Sequence, residues 1–320
     1  MTPTLRAPTR EFRTLIMDWR RWDGFPARSN DVVVTTYPKC GTTWTQRIVD
    51  LLIHQSPAPR SIMETMPWID STMFASVEED RETLEAQTHR RGVKSHLPLD
   101  ALPIFEGVKY IHVARDGRDA CLSMHNHMLG IVPEFIGRAA AAAAADPRMP
   151  PLTPRVTPQD PQEWCANWIA QAERDGAEAY GEDLPFFEFE NTYWRERAQP
   201  WLLMVHYNDL KADLAGEMRR ISEFLEIDTP EPVLAQLAQA ASFSSMKAQG
   251  EEILPNLRKA FDHGAERFLN KGYNGRWREV ISEADLARYD ALVKRKFSPA
   301  LANWIENGRR IAGDPRQSPD

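Results

Sequence analysis

The stretch Thr35-Thr36-Tyr37-Pro38-Lys39-Cys40-Gly41-Thr42-Thr43-Trp44 sets an ammonium, a glycine and two hydroxyls close together. Gly41 lets the backbone approach an anion, and Thr42 and Thr43 add hydroxyls beside the free N–H groups of a helix start. Lys39 brings a point charge. The order is not that of a nucleotide-triphosphate loop, G-x-x-x-x-G-K-[ST], where lysine follows the last glycine and the next hydroxyl meets magnesium. Here the lysine precedes the glycine, and Pro38 stands upstream. No acidic residue nearby is placed as a metal ligand, so the loop reads as a grip on an anion through donors alone. A turn that only caps a helix is the plainer alternative.

Two further segments carry candidate chemistry. In GVKSHLP (92–98) an extended backbone puts Lys94 and His96 on one face and Ser95 on the other. A histidine near a strand end can serve as general base at neutral pH, although a lone histidine is more often packed or solvated. In VKYIHVARDGRD (108–119), Arg115 falls at the carboxyl end of a strand, where open α/β sheets place ligands. Ser123 follows eight residues later, about one turn into the next helix. A guanidinium fork with a hydroxyl suits a second phosphate, while R-D-x-R-D also suits surface salt bridges.

These groups need a frame. DVVVTT (31–36) is an unbroken β-branched run, as in a strand buried on both faces, and TWTQRIVDLLIHQ (43–55) has helical spacing. The pattern repeats: a strand at 92–98, a strand running into a turn over 108–119, and a helix over 119–129. A strand at 201–210 precedes a helix at 213–227. The expected fold class is α/β, one domain over residues 1–320, with a mainly parallel sheet flanked by helices around the P-loop-like turn. Residues 130–163 break the pattern with seven alanines (139–145) and six prolines from Pro147 to Pro161. They read as a variable surface insertion or as a lid over the substrate mouth. Trp164 and Trp168 lie at i, i+4 on a helix expected over 163–180, a stripe read as core packing rather than a ligand box.

Composition narrows the function classes. A net charge of −7 argues against broad nucleic-acid or anionic-membrane binding, though a local basic cleft remains compatible. Three scattered cysteines, Cys40, Cys121 and Cys165, do not make a disulfide framework or a C-x-x-C metal site. No apolar run approaches the ~20 residues of a membrane span, and the N-terminus lacks a signal-peptide core. The expectation is a cytoplasmic protein with no membrane or nucleic-acid partner.

In order along the chain, TYPKCGTTW, KSHLP, the Arg115-to-Ser123 spacing and FLNKGYNGRW (268–277) resemble the signature regions of one family, the cytosolic-type sulfotransferases, as in a bacterial member. The family patterns are YPKSGTTW, K-[TS]-H-L-P, R-x(7)-S and F-x-R-K-G-x-x-G-x-W. The resemblance runs from about Arg21 to Trp304. It implies a metal-free transfer of a sulfonate from 3′-phosphoadenosine 5′-phosphosulfate (PAPS) to a small acceptor, at a hydroxyl first and an amine as the alternative. It makes His96 the base, with Lys39 and Lys94 also catalytic. Lys39, Cys40, Gly41, Thr42, Thr43 and Trp44 would surround the phosphosulfate end. Arg115, Ser123, Asn270, Lys271 and Gly272 would hold the 3′-phosphate end, and Tyr207, Ser242, Phe243 and Met246 the adenine side.

Several positions depart from the pattern. Cys40 replaces a serine, Asn270 an arginine and Ala241 a threonine, and the family's dimer segment has no counterpart near Arg278 to Ala287, so oligomeric state is left open. Trp22, Phe25, Trp68 and Phe74 are candidates for an apolar acceptor pocket or for the core. Two other classes compete: a P-loop kinase-like phosphotransferase, disfavoured by the lysine-before-glycine order, and a non-catalytic nucleotide-binding protein, disfavoured by His96.

Overall fold

A computed structural model describes residues 2–145, 147–149, 156–174 and 185–320. Six strands are present among them: β1 Thr4–Arg6, β2 Val32–Thr36, β3 Gly92–Ser95, β4 Ile104–Phe105, β5 Lys109–Ala114 and β6 Leu202–His206. Four of these form one parallel sheet in the order β3-β2-β5-β6, while β1 and β4 pair antiparallel outside it. The registers Thr35↔Ser95, Thr36↔Val113 and Ala114↔His206 bring the carboxyl ends of all four strands to one edge. That edge is where the chemistry-bearing segments begin.

Helices cover both faces, as parallel strands require. On one face Val32 and Val34 pack with Ile111, Val113 and Val205 against Ile48 and Leu52 of α1 (Thr42–His54). On the other, Val33, Val93 and Tyr110 pack in the cluster that holds Phe186, Phe187 and Phe189 of a later helix (Phe186–Trp194). The alternation of Val32, Val33 and Val34 between two cores is the period-2 consequence of the pleat. Trp22 and Phe25 are buried in the second core, the second of the two places the sequence left open for them.

Element boundaries differ from expectation in instructive ways. The strand expected over 201–210 ends at His206, and Tyr207–Ala212 is helical. Pairing with β5 stops at Ala114↔His206, and the His206 Nδ1 accepts from the Asn208 N–H, so the chain turns there. The helix after β5 starts at Gly117 rather than residue 119, which puts Ser123 nearly two turns in. Capping by the Asp116 carboxylate, which accepts from the Arg118 N–H, sets that earlier start. The alanine run does extend a helix, Pro133–Ala144. The rest of the Ala/Pro region, at residues 146 and 150–155, lies outside the described residues. So does the 175–180 end of the helix expected over 163–180, which is described as Pro161–Glu173.

Candidate active site

The loop after β2 turns through two positive φ values, 71° at Lys39 and 114° at Gly41. Glycine is suited to the second position on two counts. A Cβ there would stand in the left-handed region and 3.0 Å from the Tyr207 ring. Gly41 caps α1, and Thr42 Oγ1 lies 2.6 Å from Thr36 Oγ1, which ties the loop to its strand. Cys40 has no exposed surface and packs in the core beneath the loop, so its thiol does not line the cavity. Burial first, then the Glu190 carboxylate, pushes that thiol well above its usual pKa.

Above the loop opens a cavity of about 1240 Å³. Lys39, Lys94 and Arg115, each close to a strand end, are among the cations that line it. Among the described residues, no carboxylate forms an ion pair with any of these three. The Lys39 pKa falls to about 7, chiefly through burial and then through Lys94 and Arg115. Lys94 falls to about 8 through burial, which the Asp70 carboxylate partly opposes. Its Nζ sits 4.0 Å from the centre of the Trp68 ring, a cation–π contact. Arg115 is held rather than neutralised. Its Nη1 donates to the Lys39 carbonyl at 3.2 Å, and its Nε and Nη2 donate to Asn274 Oδ1 at 3.0 and 2.5 Å.

His96 follows directly on β3 and lines the same cavity as Lys94, as the alternation predicts. Its Nδ1 donates to the Thr36 carbonyl at 2.8 Å, which leaves Nε2 as the basic nitrogen. Burial, then the Lys94 charge, drives its pKa well below 6.5. The imidazole is therefore neutral at neutral pH. Asp70 anchors this region, its Oδ2 accepting from the His96 N–H at 3.1 Å and from Trp68 Nε1 at 2.8 Å.

The remaining candidates gather at the other end of the cavity. Trp44 donates through Nε1 to the Ala241 carbonyl at 2.8 Å, and its ring meets Tyr207 edge-on with centroids 5.4 Å apart. Tyr207 also lies under the Arg115 guanidinium at 4.3 Å. Thr43, Ser123, Phe243, Met246, Asn270, Lys271 and Gly272 all line the cavity. A Cβ on Gly272, at φ 65°, would come within 2.7 Å of the Phe243 ring, so only glycine lets these two segments meet. Ser242 stands apart from the cavity lining; its Oγ accepts from the Ser245 N–H at 3.2 Å and caps a short helix.

Four contributors went unnamed in the sequence reading. Asp70, Asn274 and Phe268 support His96, Arg115 and Lys39 respectively; nothing in the local pattern marks Asp70, while Phe268 and Asn274 lie within FLNKGYNGRW but were given no role there. His127 was findable, because it stands four residues after Ser123 and so shares its helix face. Trp68 and Phe74 line the cavity, together with Met73, Met128 and Phe135. Trp164 and Trp168 both pack on the core and line the cavity.

A parallel sheet whose strand ends present lysines, an arginine and a histidine to one cavity defines an enzyme that handles an anionic group. The family model of the sulfotransferase domain matches residues 29–300. A glycolipid sulfotransferase of Mycobacterium tuberculosis is 32% identical over 315 residues, covering 93% of this chain and 94% of the relative. Sulfotransferase 1B1 of Mus musculus is 27% identical, covering 88% and 87%. Among solved structures, retinol dehydratase in complex with androsterone and inactive cofactor PAP aligns with a TM-score of 0.65 at 22% identity, over 85% of this chain and 82% of that one. Mouse sulfotransferase SULT7A1 complexed with PAP aligns at 0.60 and 20% identity, over 87% and 88%. The chain belongs to the sulfotransferase family; it is an enzyme that transfers a sulfonate group.

Proposed function

We propose that the donor is PAPS and that the acceptor is a hydroxyl on a largely apolar molecule. The observation that carries this is the set Lys39, Lys94 and Arg115, none held in an ion pair among the described residues, beside the basic Nε2 of His96. Burial holds Lys39 near 7 and Lys94 near 8, with repulsion from Lys94 and Arg115 adding to the shift of Lys39, and an incoming anion would relieve both. The Gly41 and Gly272 turns supply close backbone approach on either side, so the residues present fit a phosphorylated nucleotide.

PAPS supplies a sulfonate already activated by a phosphate leaving group. His96 Nε2 takes the proton of the acceptor hydroxyl, with Thr36 fixing its tautomer from the other nitrogen. Lys39 meets the charge that grows on the leaving side, and Lys94 meets the sulfonate oxygens. Arg115 and Ser123, with Asn270, Lys271 and Gly272, take the 3′-phosphate. Thr42, Thr43 and Trp44 take the 5′ end, and Tyr207, Phe243 and Met246 the base. Cys40 and Ser242 enter this scheme through backbone and capping rather than through cavity-facing side chains. We also propose that no metal takes part: lysine and arginine charge fills the role that magnesium has in triphosphate loops.

The acceptor half is lined by Trp68, Met73, Phe74, Met128 and Phe135, with Phe74 exposed at its edge. Apolar and methionine-rich walls adapt to apolar bodies of varied shape. The glycolipid named for the mycobacterial relative is an acceptor of that kind. Val156, Thr157 and Pro158 also line the cavity, which supports the lid reading of the Ala/Pro region. An acceptor screen with PAPS, read as PAP release and product mass, tests the proposal. Turnover of phenols, sterols or glycolipids supports it, and no PAP release across all three classes overturns it.

A further inference from the structure

One contact in the cavity has no part in the scheme above. Lys39 Nζ lies 3.2 Å from His127 Nδ1, across the cavity from the β2 loop, and 4.6 Å from the centre of the Phe268 ring. The His127 ring is packed against Phe261 and Phe268, with centroids 4.6 and 5.7 Å away. The charged groups that face it are Lys39 and Lys94, together with His96, and those that face Lys39 are Lys94 and Arg115. A second proton on His127 would add another cation to this group. Its pKa is accordingly pushed well below 6.5, first by burial and then by Lys39. A neutral imidazole can accept from an ammonium through one nitrogen while the other keeps the proton. A carboxylate in its place would neutralise Lys39 and compete with an incoming anion.

We propose that His127 is a positioning residue for the transfer: its neutral imidazole holds the Lys39 ammonium in the ligand-free enzyme until the donor's anionic group displaces it. The inference rests on the reading that Lys39 meets the 5′ end of the nucleotide. It has a signature that loss of packing lacks. The hydrogen bond stabilises protonated Lys39 in the free enzyme and is given up on binding. Removing it therefore favours nucleotide binding where Lys39 is already protonated. Where Lys39 is neutral in the free enzyme there is no bond to give up, and the gain disappears.

His127→Phe keeps a ring against Phe261 and Phe268 but offers no acceptor, and His127→Leu is a second variant should the first fold poorly. Calorimetry with PAP should show about fivefold tighter binding than wild type at pH 5.5, the size expected for the net worth of one intramolecular hydrogen bond. At pH 8.5 the two should bind equally. His127→Asn, which returns an acceptor near the Nδ1 position, should match wild type at both pH values. Weaker binding in Phe and Leu variants at both pH values, or no change at either, overturns the proposal. Lys39→Met separates the two readings. If it loses PAP affinity while His127 variants do not respond, only the positioning role fails. If it binds PAP normally, the assignment of Lys39 to the anion fails with it.

Discussion

At the scale of single residues, the site combines a neutral His96 with Lys39, Lys94 and Arg115, none of which forms an ion pair with a carboxylate among the described residues. His96→Ala should lower kcat by about 10² to 10⁴ while leaving PAP affinity nearly unchanged, because the base meets the acceptor and not the nucleotide. Steady-state rates at saturating acceptor, with calorimetry in parallel, check this; near-normal turnover would reduce His96 to a structural residue. The depressed pKa of His96 also fixes a pH dependence. The imidazole stays unprotonated below its ordinary range, so the acid limb of kcat/KM should fall clearly below the ordinary 6.5. A limb at the ordinary 6.5 would contradict the buried environment. Asn270 offers a second test, since it lines the cavity with two neutral donors on a short stem. Asn270→Arg should tighten PAP binding by about 1 kcal/mol, roughly fivefold, and leave adenosine 5′-phosphate unaffected. Equal gains for both nucleotides would mean a long-range charge effect. No gain would mean that Arg276, which also lines the cavity, already fills the role.

At the scale of elements, four strands ending at one edge do most of the positioning. Lys39, His96, Arg115 and Tyr207 each stand within three residues of a strand end, so the parallel register alone brings them together. This much was legible in the chain, because β-branched runs and helical spacing locate strand ends to within a few residues. Tertiary partners were not legible. Asp70 under His96 arrives from a segment whose local pattern carries no trace of the contact, and Asn274 comes from FLNKGYNGRW, a segment marked for the site but not for a hold on Arg115. Cys40 shows the converse, since its motif position suggested a cavity contact and packing turned the side chain inward. The loop's own shape gives an element-level prediction. Gly41→Ala would place a Cβ at φ 114° and 3.0 Å from Tyr207, a strained conformation worth about 1–3 kcal/mol. Urea unfolding should register that loss, and PAP affinity should fall with it as the loop shifts. Wild-type values for both would mean that the turn relaxes at little cost.

At the scale of the whole molecule, the net charge of −7 coexists with a cationic cavity, and this tension makes stability depend on pH and ligand together. Lys39 and Lys94 have folded-state pKa values of about 7 and about 8, against an ordinary 10.5. A base with a depressed folded pKa binds fewer protons folded than unfolded, so stability rises with pH across the gap. The destabilisation is present in full below pH 7 and is relieved as pH climbs from about 7 toward 10.5. A bound polyanion acts the other way, because it favours both lysines in the protonated state. Ligand-free Tm should therefore rise by several degrees between pH 7 and pH 9. Over the same interval the Tm increase given by saturating PAP should shrink, since binding must then supply the missing protons. Calorimetric scans at four pH values, with and without PAP, measure both trends at once. Lys39→Met and Lys94→Met should each flatten the ligand-free trend in part, which ties the slope to these two residues. A flat ligand-free Tm together with a constant PAP shift would mean that water in the cavity keeps both lysines fully protonated, and that the cations face the donor without strain.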